Sequence, residues 1–356
     1  MTNDFAGTRP VNPKHAFDEA ALAAWLRAHV DGFPPTAPLS VAQFAGGQSN
    51  PTFLLTAGAR RYVMRRKPPG KLLPSAHAVD REFQVISALA GSDVPVARAH
   101  ALCTDETVIG TMFYVMDHVA GRIFWDPALP ELDNADRTAV FDEMNRAIAA
   151  LHSVDYAARG LGDYGKPGNY FERQVARWTQ QYHAAQAIAA EPIEAMDRLI
   201  DWLPAHIPPG NDTAIVHGDF RLDNVIFHPT EPRILAVLDW ELSTLGHPMA
   251  DFAYHCMAWH MPPAKMRGLV GVDCAALGIP SEADYVAQYC QRTGRAPVPA
   301  AEWNYYLAFN MFRLASIAQG IAARARQGNA ASAQAVEMGR MARPVAETGW
   351  RLATTH

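Results

Sequence analysis

The chain has 356 residues, 49% of them hydrophobic and 19% charged, with a net charge of −5. That length and apolar content can fill two lobes and exclude wholesale disorder. The acidic balance argues against a nucleic-acid-binding protein, which would carry a basic domain.

Residues 16–30 place Phe17, Leu22, Trp25, Leu26 and Val30 near helical spacing. After the Pro-rich break GFPPTAPL come three strand-like runs, SVAQFA, PTFLLTA and RRYVMRR, the last two joined by Gly58-Ala59 as in a hairpin. Residues 76–90 read as a helix with Val79, Phe83, Ile86 and Ala90 on one stripe, followed by strand-like ARAHALCT and TMFYVMDHV. Beyond residue 120 the pattern turns helical, over 136–152 and 170–203. Residues 213–240 read as two short strands around the turn HPTEPR, and helices resume from 249, including 301–327. The order predicts an α+β protein with a small antiparallel-sheet lobe over residues 1–118 and a mainly helical lobe over 119–356, the boundary near Asp117–Gly121.

The cysteines (Cys103, Cys256, Cys274, Cys290) show neither C-x-x-C nor zinc spacing and read as reduced core residues. The N-terminus lacks a basic start followed by an apolar run, and no apolar stretch approaches the ~20 residues of a membrane span. A soluble cytoplasmic protein without a membrane span is expected.

The segment HGDFRLDN carries no apolar periodicity and reads as a loop leading into the strand VIF. ILAVLDW is the next strand, with Asp239 at its end. A hairpin brings Asn224, before its first strand, towards Asp239, at the end of its second. An amide oxygen and a carboxylate make a hard-oxygen site suited to Mg²⁺, with water and phosphate oxygens completing it. Asp219, five residues before Asn224, is then available to orient a hydroxyl and take its proton. Phosphoryl transfer uses such an arrangement, because positioning and charge neutralisation supply most of its catalysis. Taken singly, these residues would be ordinary turn formers.

HGDFRLDN followed by LDWE resembles the aminoglycoside phosphotransferase and choline kinase-like superfamily, with its two-lobed protein-kinase-like fold. The resemblance implies ATP and Mg²⁺ as cofactors, Asp219 as catalytic base, and Asn224 and Asp239 as metal ligands. Arg221 stands where protein kinases carry a phosphate-contacting Lys. His217 and Asp251 would brace the loop. FAGGQSN corresponds to the phosphate-covering loop, where Gly46 and Gly47 allow close backbone approach and Ser49 and Asn50 offer donors. Glu82 matches the helix carboxylate that holds the strand cation. The family's Lys is replaced by Arg65, placed on the face of Val63 by strand alternation; Lys67 and Lys71 stay open as alternatives. Hinge contacts to adenine would fall on Met116, Asp117 and Val119. ATP and GTP are not distinguished.

RRKPPGKLLPSAHAVDREF and LDWELSTLGHPMADFAY resemble, more narrowly, the kinase-like domain fused to acyl-CoA dehydrogenases. This implies a hydroxyacyl-CoA acceptor and a functional link to an acyl-CoA dehydrogenase on a separate chain. Residues 246–356 carry seven acidic and ten basic residues, a balance of +3. That is the wrong sign for a polycationic aminoglycoside and suits an anionic acceptor. HCMAWHMPP and WNYYLAFNMF suit an acyl group, although aromatics at helical spacing more often form a core. Arg313, Arg324 and Arg326 are candidate phosphate contacts. The competing reading is a pseudokinase-type nucleotide-binding or regulatory protein, favoured by the missing strand Lys and opposed by the presence of Asp219, Asn224 and Asp239 together.

Overall fold

The computed structural model describes residues 7–45, 50–68, 77–189, 191–263, 266–326 and 333–355. The chain divides into two compact units. The first comprises Met1–Arg122, Arg159–Leu161 and Asn224–Ser243, and the second Ile123–Ala158, Gly162–Asp223 and Thr244–His356.

In the first unit the strands are β1 (Thr8–Arg9), β2 (Leu39–Phe44), β3 (Thr52–Ala57), β4 (Arg60–Arg66), β5 (Ala99–Cys103) and β6 (Phe113–Asp117). Among the described residues they form one antiparallel sheet in the order β1-β2-β3-β4-β6-β5. Gly58, at φ +59°, turns the β3–β4 hairpin where a side chain would be strained. The α-helices of this unit among the described residues are α1 (Glu19–His29) and α2 (Val79–Leu89). Asp18 caps α1 by accepting from the amides of Ala20 and Ala21. Leu22 and Leu26 of α1 pack with Phe53, Leu55, Met64, Phe113 and Val115 of the sheet in one core. Alternation along β4 separates two adjacent arginines. Arg66 lies over the rings of Phe17 and Phe53, at 5.0 and 5.4 Å, and donates to the carbonyl of His15, whereas Arg65 engages Glu82 on α2.

The hairpin β8 (Val225–Phe227) and β9 (Ile234–Val237) also belongs to the first unit. The amide of Val237 donates to the carbonyl of Pro95, and Arg122 and Phe227 exchange backbone hydrogen bonds at 2.8 Å.

The second unit contains α3 (Asn134–His152), α4 (Tyr170–Ala189), α5 (Glu194–Ala205), α6 (Pro248–Cys256), α7 (Glu282–Thr293), α8 (Ala300–Arg326), α9 (Ala333–Arg340) and α10 (Ala342–Thr354). It also contains a short antiparallel pair, β7 (Ala214–Val216) with β10 (Thr244–Gly246). The long α8 packs against α4, α6 and α10. Its Tyr305–Phe312 stretch is buried throughout, so this part of WNYYLAFNMF is core. The helical stretch expected over 170–203 is formed by α4 and α5, with Pro192 between them. No helix among the described residues is long and apolar enough to cross a membrane. The α+β class expected from the sequence is the one observed.

Candidate active site

In the first unit the sequence candidates converge on one guanidinium. Arg65 Nε lies 2.9 Å from Glu82 Oε2, and Arg65 Nη2 donates to Asp239 Oδ1 at 3.0 Å. Glu82 is 1% exposed, and it also accepts from the Tyr114 hydroxyl at 3.0 Å and the Asn50 amide at 2.8 Å. Burial works against the charge on Arg65. Glu82 foremost, with Asp239 and Glu241, outweighs it, and the guanidinium is held charged well above its ordinary range.

Asp239 follows β9 in the left-handed conformation, at φ 63° and ψ 58°. Asp and Asn tolerate this region better than most side chains. The carboxylate is 36% exposed. The carbonyl of Asn224 accepts from the amide of Leu238 at 2.8 Å, and Val225 pairs with Val237. The hairpin therefore brings Asn224 beside the residue preceding Asp239. An amide oxygen and a part-exposed carboxylate on neighbouring backbone fit a hard divalent cation.

The remaining first-unit candidates are placed differently. Asn50 is fully buried, its amide on Glu82 and its oxygen 3.0 Å from His77 Nδ1. Lys67 lies 3.9 Å from Asp80. Gly46, Gly47, Ser49 and Lys71 lie outside the described residues. Met116 is buried, and Asp117 accepts from His100 Nε2 at 2.7 Å. Val119 is half-buried just after the end of β6.

In the second unit β7 delivers the loop that begins at His217. Asp251, on α6, accepts from the amides of His217 and Gly218 at 2.7 and 2.8 Å and from His152 Nε2 at 3.1 Å. Gly218, at φ +83°, makes the turn that lets one carboxylate receive two successive amides. His217 is fully buried, and its Nδ1 accepts from the amide of Asp219. Phe220 anchors the loop in the core.

Asp219 keeps a 20% exposed side chain. Its Oδ1 receives the hydroxyl of Tyr254 at 2.5 Å and lies 3.0 Å from Arg221 Nε. Arg221 reaches on to Asp223, 3.4 Å from Nη2, and Arg267 also pairs with Asp223. Burial, and next the Asp219 charge, push the Tyr254 phenol above its ordinary value, so it stays a donor. Arg313 Nη2 donates to the carbonyl of Gly218 at 2.8 Å.

Sequence reasoning missed Tyr114, Glu241, Tyr254 and Trp178. For Tyr254 a signal existed, since three residues after Asp251 on a helix lie on the same face. Nothing local marks the other three.

The model of the phosphotransferase enzyme family matches residues 40–303. The chain is 46% identical to mouse acyl-CoA dehydrogenase family member 10 over 349 residues, which is 98% of this chain and 32% of that protein. It thus spans about a third of the relative's length. It is 59% identical to a candidate aminoglycoside phosphotransferase from Ralstonia eutropha JMP134 of known crystal structure, with a TM-score of 0.87 over 95% of this chain and 98% of the other. A thermostable mutant of aminoglycoside phosphotransferase APH(4)-Ia, in a ternary complex with AMP-PNP and hygromycin B, shares the fold at 15% identity. Its TM-score is 0.62 over 94% of this chain and 99% of the other. On the family match and the extent of these likenesses, the chain belongs to the phosphotransferase enzyme family.

Proposed function

We propose that this protein is a small-molecule kinase that transfers the γ-phosphoryl group of Mg·ATP to a hydroxyl, with a hydroxyacyl-CoA as acceptor and Asp219 as base. The observation that carries the reading is the Arg65 junction, a buried guanidinium fixed on Glu82 that extends to the part-exposed Asp239. Phosphoryl transfer needs a rigid cation and a metal-binding carboxylate placed together. Asn224 and Asp239 would hold Mg²⁺, which when bound neutralises phosphate charge. Arg65 would meet phosphate oxygens while Glu82 keeps its side chain in one orientation. Asp219, oriented by Tyr254 and Arg221, would accept the hydrogen bond of the acceptor hydroxyl and take its proton as the O–P bond forms. The +3 balance of residues 246–356 supports an anionic acceptor. The likeness to an acyl-CoA dehydrogenase family member supports an acyl-CoA.

A second reading, nucleotide binding without turnover, is favoured by one feature. The cation is an arginine, and its Nη2 engages the same Asp239 that the metal would use.

ADP release from Mg·ATP decides between them, measured with 3- and 4-hydroxyacyl-CoAs, the free hydroxy acids, choline, homoserine and kanamycin. Turnover on a hydroxyacyl-CoA that disappears in Asp219→Asn is expected. Mg·ATP binding with no turnover on any acceptor would favour the second reading, and absence of Mg·ATP binding would overturn both.

A further inference from the structure

We propose that Arg313 recognises an anionic group on the acceptor and couples that recognition to the Asp219 loop, an inference that rests on the phosphotransferase reading above. Arg313 lies on α8, which packs against both α4 and α6. Its guanidinium sits over the ring of Trp178 of α4, at 5.9 Å, and over that of Tyr254 of α6, at 5.2 Å. Two aromatic faces hold a planar guanidinium in place and leave its N–H edge available for hydrogen bonding. Among the described residues its side chain makes one hydrogen bond, to the carbonyl of Gly218, and no ion pair. A half-buried arginine fixed by rings and one carbonyl, without a carboxylate, suits an anion supplied from outside the protein.

The surrounding charge agrees. On buried Tyr170, Arg313, Arg173 and Arg177 act together against the opposing charge of Asp251, and the exposed Arg177 also lies over Trp178, at 5.4 Å. The same two contacts of Arg313 lead to the proposed base. Gly218 immediately precedes Asp219, and Tyr254 donates to its carboxylate. An anion drawn onto Arg313 would therefore settle the loop and the tyrosine that orient Asp219. The ligand chemistry is a phosphate or a carboxylate borne by the acceptor.

Calorimetric titration tests this without relying on turnover. The full chain and its Arg313→Met and Arg313→Lys variants would be titrated with CoA, pantetheine, 3-hydroxybutyrate and Mg·ATP. Loss of one charge-assisted contact predicts binding weakened about 30-fold in Arg313→Met for CoA, for 3-hydroxybutyrate, or for both. Pantetheine and Mg·ATP should stay within about twofold, a range too small to represent a lost contact. Arg313→Lys should recover part of the loss, because it keeps the charge without the fork. Loss confined to CoA assigns the anion as phosphate, and loss with 3-hydroxybutyrate assigns it as carboxylate. Equal affinities of wild type and Arg313→Met for both probes, or failure of the wild type to bind either, would overturn the proposal. Selective anion binding without ADP formation from any acceptor would sink the kinase reading and leave the Arg313 assignment standing.

Discussion

At Asp219 a tyrosine hydroxyl and a guanidinium meet the same carboxylate oxygen. The two donors fix the carboxylate plane, which the proposed base would need to meet an alcohol proton. Asp219→Asn should lower kcat by about 100- to 10,000-fold and leave Mg·ATP affinity unchanged; wild-type turnover in this variant would remove Asp219 from the mechanism. Tyr254→Phe keeps the ring beneath Arg313 and deletes only the hydroxyl. Its kcat should fall about tenfold, as for loss of one charge-assisted hydrogen bond, with the KM for ATP unmoved. A tyrosine that only packs beneath Arg313 would leave kcat unchanged. Glu82 answers to stability instead. Its carboxylate is almost fully buried and takes Arg65, Tyr114 and Asn50 together, so Glu82→Gln should destabilise the fold by about 2–3 kcal/mol. That is below the usual cost of breaking a buried pair, because Asp239 still serves Arg65.

The β8–β9 hairpin is the element on which the proposed metal site depends, and it was legible. Two apolar runs flank a Pro-containing turn, which is a local signal. The β7–β10 pair was not legible as a pair. Its strands are three residues each, with 27 residues between them, and short strands that pair across such a distance leave no periodic trace. The left-handed Asp239 was hidden for a similar reason, since a single backbone angle has no sequence period. That angle shapes the choice of variant. Asp239→Ala would mix loss of the carboxylate with the cost of alanine in the left-handed region, whereas Asp239→Asn keeps a residue that tolerates it. Both should weaken Mg·ATP binding; unchanged affinity in Asp239→Asn would undo the ligand assignment. The other support of the hairpin is Gly121. A Cβ built there falls 2.1 Å from the carbonyl oxygen of Phe227, a backbone atom that cannot move aside alone. Gly121→Ala should therefore lower unfolding stability by about 1–3 kcal/mol, read from the urea midpoint.

Across the whole molecule, local motifs were legible and long-range convergence was not. HGDFRLDN and LDWE pointed to a base and two ligands, but nothing in the sequence shows that Tyr254, Arg313 and Trp178, from three helices, gather beside Gly218. Nor does it show how many histidines the second unit buries, and these set its response to acid. His247 caps α6 by accepting the amide of Met249 on Nδ1. His255 meets the Tyr285 hydroxyl at 2.8 Å in the core. Burial holds both well below the ordinary 6.5, down to about 4, and lowers buried His152 as well. Between about pH 6.5 and 4 the unfolded chain therefore binds protons that the folded chain refuses. Stability rises with pH wherever the unfolded state binds more protons, so it must fall as pH drops through this window, by up to about 1.4 kcal/mol per unit for each histidine. Asp251 adds to the loss only further down. Burial opposes its charge, but the hydrogen bonds from His152 and from the amide of His217 outweigh it and hold the carboxyl below its ordinary value of 3.8. Urea midpoints should then be level above about pH 7, decline from pH 6.5 and steepen towards 5. His247→Asn keeps a side-chain acceptor for the Met249 amide, since Asn is a favoured cap, and removes one titrating group. Its decline should be shallower than that of the wild type, whatever the variant costs at neutral pH. An equally steep decline would mean that His247 takes no part in the acid response.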